Sequence, residues 1–200
     1  MRKSIFIGLI LPAVGLALAA LADAKSFVIN PQGGIVGSNL SSDASDLNDE
    51  ARLGYQLGGQ LRFGGKGYLA PGIFWQHTAL EATTVDTATL TEVTDNLEVS
   101  SLFIPVHLGM NLGGGMSAGS FGFRLYGGPA VTIVTKVKPN AFLITKDDYE
   151  DMIYGAQVGA GFDISTLTID ANYEFGLSNV FKADNDTKQN AARATVGFKF

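Results

Sequence analysis

The sequence predicts an all-β fold, an eight-stranded antiparallel up-and-down transmembrane β-barrel, on three observations. Apolar residues recur at every second position in segment after segment, the period of a strand with two unlike faces. The connections between segments alternate between short and long. The composition holds 25 glycines in 200 residues, 46% hydrophobic residues and only 16% charged ones. That is too apolar for a disordered chain and too charge-poor for an ordinary soluble domain. A net charge of -5 offers no basic patch for nucleic acid. With no cysteine, disulfides, thiolate metal sites, lipoprotein attachment and cysteine nucleophiles are excluded.

Residues 1–24 read as a cleavable signal peptide. Arg2 and Lys3 precede an apolar stretch from Ile5 to Ala22, and Ala22-Asp23-Ala24 is a small-x-small cleavage site. The barrel domain is then 25–200, starting at Lys25. Removing Arg2, Lys3 and Asp23 leaves 12 basic and 18 acidic residues, a net charge of -6.

The strands follow in order. The first is the weaker segment Phe27 to Val36. In the second, Leu53, Tyr55, Leu57, Leu61 and Phe63 alternate with Gly54, Gln56, Gly58, Gln60 and Arg62. In the third, Leu69, Ile73 and Trp75 alternate less tidily with Ala70, Gly72, Phe74 and Gln76. The fourth sets Leu102, Ile104, Val106, Leu108, Met110 and Leu112 against His107, Gly109 and Asn111. It lies in the uncharged stretch 99–123, whose Pro105 and six glycines speak against a spanning helix. The fifth sets Phe121, Phe123, Leu125, Val131 and Ile133 against Gly122, Arg124, Tyr126, Gly128, Ala130 and Thr132. The sixth sets Tyr154, Ala156, Val158, Ala160 and Phe162 against Gly155, Gln157, Gly159 and Gly161. The seventh sets Leu167, Ile169, Ala171, Tyr173, Phe175 and Leu177 against Thr168, Asp170, Asn172, Glu174 and Gly176. The eighth sets Ala192, Ala194, Val196, Phe198 and Phe200 against Arg193, Thr195, Gly197 and Lys199.

Short connections at 64–67, 113–120 and 163–166 alternate with longer polar ones at about 37–52, 79–97, 137–151 and 178–190. Short turns at one rim and long loops at the other mark an outer-membrane barrel, and strands near ten residues suit a tilted crossing. An even strand count returns both ends of the domain to the short-turn, periplasmic side.

Lumen size decides the facing. Eight strands leave an interior just wide enough for side chains. Glycine, small polar residues and a few opposed charges fit it; Leu, Phe, Tyr and Trp on every strand would overfill it. The apolar face therefore meets lipid. The inward Arg62, Arg124, Arg193 and Lys199 are expected to pair with Asp170 and Glu174, giving a packed polar plug. Aromatic residues suit the two membrane interfaces. Phe63, Tyr68, Phe121, Phe123, Phe162, Phe198 and Phe200 are assigned to the short-turn belt, and Trp75, Phe103, Tyr154 and Phe175 to the long-loop belt.

The mature chain resembles the small outer-membrane β-barrels common in Bacteroidota, the porin family or OmpX-like barrels. The resemblance rests on Gly33-Gly34-Ile35-Val36-Gly37-Ser38-Asn39-Leu40, Leu69-Ala70-Pro71-Gly72-Ile73, Leu102-Phe103-Ile104-Pro105-Val106 and Tyr126-Gly127-Gly128-Pro129. It continues through Gly155 to Phe162 and through Tyr173-Glu174-Phe175-Gly176-Leu177-Ser178-Asn179-Val180. It implies the bacterial outer membrane, an eight-strand meander and no assigned activity. The ending Val196-Gly197-Phe198-Lys199-Phe200 resembles the terminal signal that the barrel assembly machinery reads through Phe198 and Phe200.

The chemistry expected from sequence is sparse. No catalytic, cofactor-binding or metal-binding residue is assigned. His107 faces inward, and its nearest same-face serine, Ser101, stands about 20 Å away along the strand. His77 ends the third strand near the long-loop rim, where Glu98 and Ser100 begin the fourth with outward parity. A Ser100–His77–Glu98 grouping resembles the site of outer-membrane lipid A deacylases, although their histidine-x-serine arrangement is absent: Thr78 and Ala79 follow His77. A polar rim is the preferred reading. Asp43, Asp46, Asp49 and Glu50 in the first long loop, and Glu81, Asp86, Glu92, Asp95 and Glu98 in or beside the second, lack a calcium-loop pattern. The expected function is non-enzymatic: a barrel that meets outer-membrane lipids and lipopolysaccharide and binds through its extracellular loops. A His77-based lipid A-modifying hydrolase and a narrow small-solute channel are the rivals.

Overall fold

The structure, a computed structural model, describes residues 27–41, 52–86, 91–113, 121–139, 145–182 and 187–200. The signal peptide, and with it the start of the domain at Lys25, lies outside the described residues. So do Asp43, Asp46, Asp49 and Glu50 of the first long loop.

Eight strands run β1 (Phe27–Ser41), β2 (Arg52–Gly64), β3 (Gly67–Asp86), β4 (Thr91–Leu112), β5 (Phe121–Val137), β6 (Ile153–Ile164), β7 (Leu167–Gly176) and β8 (Lys188–Phe198). Each pairs antiparallel with the next, and β8 pairs with β1 to close the barrel. Closure continues past β8, where Ile29 and Phe200 exchange backbone hydrogen bonds of 3.1 and 2.9 Å. No sheet edge is left between β1 and β8, which a strand-built membrane span requires.

The alternation decides which residues line each surface. Ile35, Leu57 and Phe121 are 66–68% exposed, whereas Arg62, Arg124 and Lys199 are each 1% exposed. The barrel is thus apolar outside and polar within, the reverse of a soluble barrel. Tight turns close the inner rim. Gly64, at a φ of +130°, starts the turn into β3, and a Cβ there would meet the Gly67 carbonyl oxygen at 2.4 Å. Ser165 adopts a φ of 58° in the two-residue turn joining Ile164 to Leu167, because tight hairpins need positive φ.

Three expectations are corrected. The connection expected at 79–97 is mostly strand: β3 and β4 stay paired to Asp86↔Thr91. This hairpin rises roughly 27 Å above Thr78, at about 3.4 Å per residue. Its polar sequence reflects a ribbon outside both lipid and lumen rather than a loop. Asp163, assigned to a turn, is an inward residue of β6, because the inward series 155, 157, 159 and 161 runs one step further. Tyr68 and Phe103, assigned to the belts, point inward at 5% and 2% exposure. Tyr68 shares the parity of Ala70 and Phe74, and Phe103 that of His107, so sidedness outweighs the preference of rings for the interface. The remaining belts are outward. Phe27, Phe121, Phe162, Phe198 and Phe200 ring the short-turn end, and Tyr55, Trp75, Tyr173 and Phe175 the other.

Candidate functional site

Two polar groups stand out, one in the lumen and one on the lipid-facing wall. In the lumen, β2, β5, β6 and β7 bring Arg62, Arg124, Asp163 and Asp170 together, and Lys199 follows β8 into the same space. Asp163 accepts from Arg124 Nε at 2.9 Å and lies 3.3 Å from Arg62 Nη1 and 3.4 Å from Lys199 Nζ. Asp170 lies 3.0 Å from Arg124 Nη2 and 3.9 Å from Arg62 Nη2, and accepts from Gln32 Nε2 at 2.9 Å. Arg62 also donates to Asn30 Oδ1, whose own amide donates to Thr168 Oγ1. Three cations thus share two carboxylates, with Gln32 and Asn30 adding amide contacts, while Arg62 Nε and Arg124 Nη1 are buried without a hydrogen-bond partner. Burial makes each partner costly to remove.

Further out, Arg193 meets Glu174 at 2.7 Å and lies 4.1 Å from the centroid of the Phe103 ring. His107 is buried against Tyr126 and hydrogen-bonded to Gln157. Towards the outer end, Val99, Val134, Tyr149, Ile153 and Val180 pack together, so the filling becomes apolar there. The cavities lined by these lumen residues are about 10 and 20 Å³. Each has room for about one water.

On the wall, His77 of β3 sits directly across from Ser100 of β4. Its Nδ1 lies 3.1 Å from Ser100 Oγ and its Nε2 3.0 Å from Glu98 Oε2. An ionised carboxylate can only accept, so Nε2 carries the proton and donates to Glu98. In the neutral ring Nδ1 is then the acceptor for the Ser100 hydroxyl. Glu98 Oε2 also meets Lys138 Nζ at 2.6 Å. Trp75 stacks on the imidazole at 5.9 Å and 14°, and Tyr55 lies 5.4 Å from it.

A bulge in β5 completes this face. Pairing runs Ser101↔Val134 and then Ser100↔Lys136, so one extra residue, Thr135, is inserted. Its hydroxyl donates to the Ser100 carbonyl at 2.9 Å. A one-residue shift turns every following side chain to the opposite face. Below the bulge the odd-numbered residues of β5 face lipid; above it Lys136 and Lys138 do.

The family described as "Outer membrane protein beta-barrel domain" matches residues 21–182. The chain belongs to this family of outer-membrane barrels. The crystal structure of Ail from Yersinia pestis, in complex with the heparin analogue sucrose octasulfate, is similar at 14% identity and a TM-score of 0.53. That alignment covers 88% of this chain and 100% of Ail. Neisserial surface protein A is similar at 13% identity and a TM-score of 0.45, with 88% and 99% covered. LpxR from Salmonella typhimurium is similar at 10% identity and a TM-score of 0.37, with 88% and 100% covered. No curated protein sequence matches the chain.

Within this family framework the structure sorts the residues singled out from sequence. Ser100, His77 and Glu98 are brought together; His107 and Ser101 are not. Arg193 pairs with Glu174 and Arg124 with Asp170, but Lys199 pairs with Asp163 rather than with Asp170 or Glu174. Asp163 was missed although its parity pointed inward. Lys136 and Lys138 were missed because an unbroken period of two places Lys136 inside, from where only the bulge moves it out, and because Lys138 falls in the connection expected at 137–151. Among the described residues, no group of three His, Asp or Glu side chains could hold a metal ion.

Proposed function

We propose that the protein acts from its outer surface and rim, in a structural or binding role towards outer-membrane lipid and lipopolysaccharide, and does not conduct. The observation that carries this reading is the filled lumen, with its three charge-paired carboxylates and cavities of only about 10 and 20 Å³. A narrow small-solute channel would need a continuous wetted path. The β3–β4 hairpin and the rim segment around the 3-10 turn Lys146–Asp148 supply the surface for binding. In this reading residues 1–24 are a cleaved signal peptide, and Phe198 and Phe200, both outward at the last strand, are read by the barrel assembly machinery.

Planar-bilayer recording tests the closed lumen: the expected trace shows no current steps, and stable unitary conductance would overturn it. Purification in mild detergent tests the binding half. Lipopolysaccharide should co-migrate with the intact chain and be lost when residues 80–97 are replaced by a two-residue turn. A lipopolysaccharide-free wild-type protein would remove that part of the reading.

A further inference from the structure

The wall group has the connectivity of an activated nucleophile, which a binding role does not need. Ser100 hydroxyl, His77 imidazole and Glu98 carboxylate form one hydrogen-bonded chain, which Lys138 joins at Glu98, with the ring proton fixed on the nitrogen far from the serine. We propose that this group is a hydrolytic site for carboxylic esters of anionic acylated lipids. Ser100 is the nucleophile, His77 the general base, and Glu98 a positioning residue that holds His77 in the required tautomer.

Each part of the assignment rests on a different observation. The three side chains stand on paired strands, so the backbone ladder fixes their spacing. Their face is the lipid-facing one, at the level of Tyr55 and Trp75, where interfacial rings sit. That depth is also where a membrane lipid carries its esters, between headgroup and chains. Directly below Ser100 on the same face is Leu102, flanked across the ladders by Trp75 and Ile133. These three make an apolar floor for an acyl chain descending from the ester. Above it, the bulge sets Lys136 opposite Ser100 and Lys138 on Glu98. The two ammonium groups suit an anionic headgroup, and Lys136, paired with Ser100 across the ladder, is the cation placed to meet negative charge developing there.

The reaction needs only water as co-reactant. Ser100 Oγ attacks the ester carbonyl carbon while its proton passes to His77 Nδ1. The tetrahedral adduct collapses, the carbon–oxygen bond to the lipid alcohol breaks, and that oxygen takes the proton back from Nδ1. Water, deprotonated by the same nitrogen, then cleaves the acyl-serine ester. The products are a free fatty acid and a lipid with one chain fewer, and Ser100 is restored.

The full chain, reconstituted in vesicles, is the right material for the test. One preparation contains phosphatidylglycerol and the other purified lipopolysaccharide; released fatty acid is followed by mass spectrometry. Release from either supports the site and identifies the lipid. Ser100→Ala and His77→Asn should each lower the rate at least about 100-fold. Glu98→Gln should lower it less and displace the acid limb of the pH–rate profile, which a merely structural role would not move. A fluorophosphonate provides a readout independent of substrate: it should label Ser100, and labelling should be lost in His77→Asn. Folding of each variant is checked by the gel-mobility difference between boiled and unboiled samples. The proposal is overturned if the folded wild type neither takes the phosphonate at Ser100 nor releases fatty acid from either vesicle, or if Ser100→Ala releases it unchanged.

Discussion

The two polar groups of this barrel are made of similar side chains and are treated in opposite ways. In the lumen, Arg62, Arg124, Lys199, Asp163 and Asp170 are sealed at 1–2% exposure, with each carboxylate shared among several cations. On the wall, the His77 and Glu98 side chains keep 19% and 27% of their surface and form a linear chain ending at a hydroxyl. Branched pairing in a sealed interior holds strands together but leaves no group able to accept a substrate. A linear chain at an interface contributes little to stability and leaves one end able to react. The difference gives the first group a structural part and leaves the second accessible at the membrane interface.

The comparison breaks most directly at Asp163. Replacing it with alanine removes the carboxylate that Arg62, Arg124 and Lys199 share, and losing one partner of a buried pair costs about 3–5 kcal/mol. The single tryptophan, Trp75, reports urea unfolding in lipid vesicles. The expected result is a large fall in midpoint for Asp163→Ala, against a change within about 1 kcal/mol for His77→Ala, as befits a partly exposed pair. Because Trp75 stacks on His77, the latter variant should alter the starting emission without moving the midpoint. Equal midpoint shifts in the two variants would erase the distinction.

A second contrast uses glycines instead of charges. A Cβ at Gly109 would lie 2.3 Å from the Tyr68 ring, which fills the lumen beside it, whereas Gly65 has open space around it. Gly109→Val should therefore cost about 1–3 kcal/mol through overpacking, and Gly65→Ala should leave the unfolding midpoint unchanged within error. A neutral Gly109→Val would mean that the inner lumen is looser than its ion pairs imply.

These sites also show what the sequence made legible. Strict parity placed Arg62, Arg124, Asp170, Glu174, Arg193 and Lys199 inside, because an eight-strand lumen and a lipid exterior each tolerate only one kind of residue. Errors arose wherever residue type was allowed to outvote parity, as with Tyr68 and Phe103, or wherever an element was stopped too early, as with Asp163. The extension of β3 and β4 could not be read from alternation, since a ribbon beyond the membrane has no apolar side to mark. The bulge at Thr135 was equally silent: it breaks the period instead of following it, and it brings Lys136 and Lys138 to the wall group. His77, Ser100 and Glu98 were found because they stand where two neighbouring strands meet the rim, so proximity followed from the hairpin alone.

Removing the Lys138 side chain gives a smaller effect that sharpens the reading of the wall. The Lys138–Glu98 pair is half exposed on the lysine side, so Lys138→Ala should barely move the unfolding midpoint. If the lysine serves an anionic headgroup, the same variant should weaken retention on anionic vesicles far more than it shifts unfolding. Proportional losses in both would return Lys138 to a purely structural part.

The smallest expected effect lies at the rim, away from both groups. Asp148 accepts hydrogen bonds from the Thr145 N–H at 2.8 Å and the Thr145 hydroxyl at 2.9 Å, and these hold its carboxyl below the usual range near 4. A lowered pKa means that the folded rim favours the charged form. Its contribution is therefore complete above the ordinary carboxylate range and fades as pH falls through the lowered value. Amide exchange at Thr145 should accelerate in acid relative to the lumen strands, and Asp148→Asn should remove that acid step while raising exchange at neutral pH. The lumen amides near Asp163 should show neither change. A common acid response at both places would mean that the rim and the plug open together, and the separation between a rigid interior and an independently adjustable surface would fail at its outer edge.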